Sequence, residues 1–278
     1  MCVNIIIPLE NGKMKLDSGK KLFINNILIT FLAFAIYKLI GKFAIAHIEN
    51  GVINVFVTEL TLFICAICCA FATKKMSTLK WQKKGFGTGI HVGLFVLCIQ
   101  ILNLLVWIYQ YIMGVQTVTI SGGEIILFFV AMVMVGVSEE LMFRGVLLSS
   151  CLEYFGESSV SSLKNAIIIS GSIFGAFHIF NVLIGASLSG SIVQALNAAV
   201  LGIVFGVIYV RSEKNIWPCI VLHTIQDAVA FLQSGMMNGA GIKDSVSSYS
   251  ANMISTIVVL LLVGLFVMRK KKMQLCVK

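Results

Sequence analysis

The sequence predicts an all-α, polytopic membrane protein with about eight transmembrane helices around an intramembrane polar site. Three observations predict it. Of the 278 residues, 58% are hydrophobic and only 12% are charged, with a mean hydropathy of +0.97. A soluble domain carries about a quarter charged residues and is at most about half apolar. The chain has only two prolines, so long helices can run almost anywhere without interruption. Apolar stretches near the length needed to cross a bilayer, about 20 residues, recur along its whole length. Together these exclude a disordered chain, a collagen-like repeat and an ordinary cytosolic enzyme.

The candidate spans lie near 22–47, 51–72, 88–113, 122–150, 163–183, 188–210, 215–235 and 251–268. Lys13, Lys15, Lys20 and Lys21 precede the first run as in a secretory signal. That run is too long and lacks a small-residue cleavage site, so it reads as a retained span. The second carries Cys65, Cys68 and Cys69 at helical spacing, which fits small packing residues better than a zinc knuckle. His91 near the start of the third span, and His47 before the second, read as structural or interfacial. Cys276 stands two residues from the end, which does not fit a prenylation signal. No internal repeat, low-complexity segment or loop of domain size interrupts the series. The expected organisation is an N-terminal unit over 1–119, a catalytic unit over 120–235, and a last span with a basic tail over 236–278.

The formal net charge is +9, but the basic residues cluster between apolar runs, so the partner they imply is a lipid bilayer and not nucleic acid. With both termini cytoplasmic, 18 of the 21 Lys and Arg fall on the inside, leaving Lys38, Lys42 and Lys243 outside. The positive-inside rule asks for this asymmetry. The expected location is therefore integral to a membrane, a bacterial plasma membrane on the reading favoured here, with both ends cytoplasmic.

Ionisable residues inside spans are costly and are functional candidates by default. In the fourth span, Glu140 and Arg144 are one helical turn apart and can pair. Glu139 points about 100° away without a local counter-ion. A carboxylate so placed in a low-dielectric cavity suits a general base or acid. The plainer alternative is a Glu-Glu-Arg cluster just past the membrane edge. In the fifth span, Phe174 and His178 share a face, so the ring can fix the imidazole, although a lone buried His more often serves helix packing. Small residues at Gly171, Ser172, Gly175 and Ala176 let another helix approach. In the seventh, His223 and Asp227 are again i and i+4, and a self-contained structural pair is the plain reading. Glu59 is a further buried acid with no obvious partner, and Glu124 belongs at the outer interface.

At these residues the sequence resembles the CAAX-protease and bacteriocin-processing (CPBP, formerly Abi) family of intramembrane proteases. The family pattern is Glu-Glu-x-x-x-Arg, Phe-x-x-x-His, then His-x-x-x-Asn or Asp. Here these are Glu139, Glu140 and Arg144; Phe174 and His178; and His223 and Asp227. The resemblance spans roughly residues 120–235 and implies an endopeptidase acting on a peptide or protein near the cytoplasmic leaflet. Its uses would be CAAX-type cleavage, bacteriocin or peptide processing, or self-immunity. It implies Glu139 as base on a water, His178 positioning that water, and His223 with residue 227 facing the oxyanion. Glu140 and Arg144 would hold the site. An ionised Asp227 can only accept hydrogen bonds, so it must be protonated, pair with His223, or bind a metal. The resemblance admits either no cofactor or a divalent metal such as zinc, held by His178, His223 and Glu139. The site-2 metalloprotease pattern His-Glu-x-x-His is absent, as are the rhomboid and presenilin patterns. Two non-protease readings compete. One is a non-catalytic immunity or scaffold protein of the same fold. The other is a proton-coupled transporter, which would call for broken helices and inverted repeats.

Overall fold

The computed structural model describes residues 15–247 and 254–277, and these are helical with no strand. Lys13, Lys278 and residues 251–253 of the last expected span lie outside the described residues. In order the helices are α1 (Lys15–His47), α2 (Gly51–Ala72), α3 (Phe86–Val92), α4 (Leu94–Ile112), α5 (Gly122–Glu140), α6 (Ser149–Phe155), α7 (Val160–Ile179), α8 (Leu188–Arg211), α9 (Trp217–Gln233), α10 (Ile242–Ser247), α11 (Ile254–Val267) and α12 (Lys270–Met273). A π-helical segment, Leu141–Leu148, joins α5 to α6, and a 3-10 turn, Phe180–Ile184, extends α7.

Six stretches have the length and hydropathy of a span: Gly19–Ala44, Gly51–Ala72, Leu94–Ile112, Gly122–Phe155, Val160–Ile184 and Leu188–Arg211. The seventh expected span is shorter in the structure, and of the eighth the described residues form α11. Helix α9 has 17 residues and α11 has 14. The third expected span is divided at Gly93. A Cβ there would lie 2.3 Å from Leu222 Cδ1, so the glycine lets the α3–α4 junction close on α9. Leu28, Leu32, Leu39, Ile64, Phe71, Leu102 and Leu262 are exposed, as expected of side chains solvated by lipid tails.

Loop contacts gather at two ends of the bundle. At one end Asn215 Nδ2 donates to the carbonyls of Gln82 and Lys84, Trp217 Nε1 donates to Leu79, and Lys214 pairs with Glu157. Lys75 pairs with Glu153 at the same end. At the other end Asn50 donates to Glu124, the Thr119 amide donates to the Met237 carbonyl, and Thr117 donates to Asn238. Ser121 and Glu124 form a capping box that starts α5.

Lys38 and Arg144, both counted in the charge asymmetry, are buried inside helices. Lys38 lies inside α1 at 7% exposure, and Arg144 lies in the π segment at 1%. Neither contributes to the orientation argument.

Candidate active site

Close helix approach builds the site, and glycines permit it. A Cβ on Gly136 would lie 2.2 Å from Thr224 Oγ1, so α5 rides directly against α9. One turn later come Glu139 and Glu140, facing His223. On the other side, a Cβ on Gly175 would lie 2.5 Å from the Ala195 carbonyl, and one on Gly171 2.6 Å from the Ile203 amide. That small-xxx-small stripe draws α7 onto α8.

Glu140 is fully buried, and its Oε1 meets a guanidinium and an imidazole. Arg144 Nη1 is 2.8 Å away and His223 Nδ1 is 2.6 Å away. Arg144 also donates from Nη2 to the Gly202 carbonyl at 3.3 Å. Its guanidinium lies between the rings of Phe174 and Phe205, 4.9 and 5.2 Å from their centroids. Phe205 also stacks on His223 with centroids 5.2 Å apart. Pairing, the hydrogen bond and the two ring faces offset the cost of burying these charges.

The tautomers follow from acceptors. A carboxylate and a carbonyl only accept, so His223 Nδ1 donates to Glu140, and His178 Nδ1 donates to its own-helix carbonyl at Phe174, 2.9 Å away. The Nε2 atoms remain for chemistry. His223 Nε2 faces Glu139 Oε2 and Asp227 Oδ2, each at 3.4 Å. Phe174 stands edge-on to His178, with centroids 4.8 Å apart at 81°.

Glu139, Phe174, His178, His223 and Asp227 line one cavity of about 80 Å³. A site of that size, with polar partners on several sides, has room for several waters. Glu140 and Arg144 sit behind it and do not line it. All seven residues singled out in the sequence therefore meet at one place. His47 and His91 are exposed on helix surfaces away from it.

The cavity also has walls that the sequence reading did not assign. Tyr37 and Lys38 enter from α1, Asn181 from the turn after α7, Asn197 from α8 and Gln226 from α9. Glu59 comes in from α2 and lies beside Tyr37. One signal for Lys38 was available: a lysine within an apolar run, between Ile36 and Ile40. The amides carried no such signal, because single Asn and Gln residues also serve helix packing.

Donor atoms of Glu139, His223 and Asp227 lie within 4.8 Å of one another. This differs from the set His178, His223 and Glu139 expected for a metal, because Asp227 reaches the shared point and His178 does not join the group. One imidazole and two carboxylates suit a divalent ion, and Glu140 on His223 Nδ1 is the kind of outer carboxylate that orients a ligating histidine. The residues fit a metal, and they equally fit a water held among hydrogen-bonding groups.

Residues 121–229 match the family model described as type II CAAX prenyl endopeptidase Rce1-like. No curated protein and no solved structure matches the chain.

Proposed function

We propose that this chain, whose residues 121–229 match the type II CAAX prenyl endopeptidase Rce1-like family model, is an intramembrane endopeptidase that cleaves a CAAX-type peptide with water activated by Glu139. The observation that carries the reading is the division of labour between adjacent glutamates. Glu140 is consumed by Arg144 and His223, whereas Glu139 opens on the cavity, with His223 Nε2 at 3.4 Å and Asp227 beside it.

Glu139 accepts a proton from a cavity water while the oxygen attacks the peptide carbonyl carbon. His178 Nε2, left as an acceptor by its Nδ1 bond, holds the second hydrogen of that water. The C–N bond then breaks, and the proton on Glu139 passes to the leaving nitrogen, giving a carboxylic acid and an amine. His223, oriented by Glu140, donates from Nε2 to the developing oxyanion when both its nitrogens carry hydrogen. Asp227 faces the same nitrogen. It either steadies that N–H as a carboxylate or, when protonated, supplies a second donor.

The convergence of Glu139, His223 and Asp227 favours a second version of the same function. A divalent metal held by these three would polarise the substrate carbonyl or the water. Chelator treatment of the purified enzyme separates the versions, since loss of activity restored by zinc selects the metal.

The test is turnover of a farnesylated CAAX peptide by the full chain in nanodiscs. Glu139→Gln should lower it at least about 100-fold, the low end of general-base effects, while leaving the yield of folded protein unchanged. A proteomic comparison of membranes carrying wild type and Glu139→Ala should show an accumulated precursor. Near-normal turnover by Glu139→Gln would refute the reading.

A further inference from the structure

The catalytic cavity reaches toward one end of the bundle and is walled off from the other. On the side of Glu140, the side chains of the π segment Leu141–Leu148 are at most 1% exposed. Phe205, Ile216 and Cys219 are fully buried and close the same side from α8 and the start of α9. Among the described residues, the 73–87, 156–159 and 212–216 connections contribute nothing to the cavity wall. In the other direction the wall continues. On α9 it runs from His223 through Asp227 and Ala230 to Phe231, about 12 Å of helical rise. On α8 it runs back from Leu201 through Asn197 to Gln194, and it ends at Asn181, Ile242 and Val246. Gln194, Asp227, Ala230 and Phe231 are half-buried. The side chains of Asp227 and Glu139 keep 19% and 12% of their surface exposed, so water reaches the catalytic carboxylates along this side.

The two ends differ in charge, and the difference says which compartment the mouth faces. The mouth lies where α2 and α8 begin. The 239–247 segment is seated there, since a Cβ on Gly51 would lie 2.0 Å from the Gly239 carbonyl and one on Gly190 2.5 Å from the Val246 carbonyl. The Lys and Arg residues at that end are Lys42 and Lys243. The closed end carries the 73–87 connection with its five lysines, and Arg211 and Lys214 after α8. Lys272 borders the same groove as Arg211. Lys20 and Lys21 belong there too, because Phe23 stacks on Tyr154 beside the pair of Lys75 with Glu153. Lysine and arginine gather on the cytoplasmic side of a membrane protein, and acidic residues contribute little to that bias.

We propose that the site takes its peptide from the non-cytoplasmic side of the membrane, so that its substrates are exported peptides or the exterior segments of membrane proteins. This rests on the endopeptidase reading and sets the cleavage at the face opposite to the cytoplasmic leaflet that the family resemblance implies. A peptide entering from the mouth passes Gln226 Oε1 and Asn197 Oδ1, buried acceptors of the cavity residues without a partner among the described residues. The N–H groups of an extended chain satisfy such acceptors. Entry from the cytoplasmic end would instead have to part the layer in which Glu140 is paired with Arg144, and opening a buried pair is costly.

Two measurements on the full chain test the side of entry. The first compares sealed right-side-out and inverted membrane vesicles, using a farnesylated CAAX peptide whose sulfonated fluorophore keeps it from crossing the bilayer. Cleavage should be at least about tenfold faster in the right-side-out vesicles, and detergent should abolish the difference. Faster cleavage in inverted vesicles, or equal rates in both while sealed, overturns the proposal. Absent cleavage even in detergent refutes the endopeptidase reading instead, and the side is then decided by the second measurement, which needs no turnover. There the eight native cysteines are replaced by alanine and Ala230→Cys is introduced in the cavity wall, with Gln194→Cys as a second probe on α8. A sulfonated maleimide should label both in intact cells, whereas Lys80→Cys in the same background should react only after permeabilisation. Cavity probes that react only after permeabilisation overturn the proposal, because the mouth would then be cytoplasmic. Cavity probes that never react overturn it as well, because no open route to water would then exist at that end.

Discussion

Three substitutions at single residues separate the roles of carboxylates that the sequence writes almost identically. Glu140→Gln should reduce the amount of folded protein, because it leaves Arg144 without its carboxylate and weakens the hold on His223. Breaking a buried pair costs about 3–5 kcal/mol, which a thermal melt in detergent would register as a large downward shift. Arg144→Ala should behave alike and also strip the contacts with Phe174 and Phe205. Asp227→Asn tests the remaining acid. An Asn keeps the shape, accepts from His223 Nε2 with its oxygen and gains an NH2 donor for the oxyanion. In the metal-free version activity should hold or rise. If Asp227 ligates a metal or keeps His223 charged, activity should fall tenfold or more, about 1.4 kcal/mol in the barrier. Steady-state turnover of the variant, with and without chelator, decides between them.

At the scale of elements, the placement of Glu139 and Glu140 depends on how closely α5 approaches α9. Gly136→Ala should push the helices apart by meeting Thr224 Oγ1, at a cost of about 1–3 kcal/mol. Paired with Thr224→Ala, which removes the obstructing oxygen, the same change should recover part of the lost stability and turnover. A double-mutant cycle with a coupling near zero would show that the contact does not position the site. Gly87→Ala, where an added methyl meets nothing within 4 Å, is the matched control. These contacts mark the boundary of what the sequence made legible. The i, i+4 pairings on single helices were readable, because Glu140 with Arg144 and Phe174 beside His178 depend only on helical pitch. The bond from His223 to Glu140 links residues 83 positions apart, and pitch says nothing about which helices meet. The π segment after Glu140 was likewise illegible, since Leu141–Leu148 has a composition that an ordinary helix accepts. Such segments occur often at functional sites, and here it carries Arg144.

For the whole molecule, hydropathy announced an all-α membrane protein plainly, whereas the number of crossings is less plain. Lengths and apolarity mark six stretches, yet α9 runs from the end where Trp217 meets Leu79 to the end where Met237 meets Thr119. At 17 residues it rises about 25 Å, a little under the thickness of a hydrocarbon core. Its contacts with α5, α4 and α8 shield it from lipid, so its polar residues need not lower its hydropathy for nothing: they face the cavity. The two ends of the bundle differ in charge. The end bearing the 73–87 and 212–216 connections holds Lys74, Lys75, Lys80, Lys83, Lys84, Arg211 and Lys214 against Glu153, Glu157 and Glu213, while the other holds Glu49, Glu124 and Asp244 against Lys42 and Lys243. Removing Lys38 and Arg144 from the count leaves this contrast intact. The positive-inside rule then predicts that the basic end is cytoplasmic. Reporter fusions at Lys80 and Lys278 should read as cytoplasmic, and fusions at Ser121 and Lys243 as external. The bond of Asn215 to the carbonyls of Gln82 and Lys84 adds a condition that charge alone does not impose, for the second and sixth connections must share a side. An exterior signal at Lys80 would overturn the orientation. Opposite signals at Lys80 and Lys214 would overturn the crossing order itself.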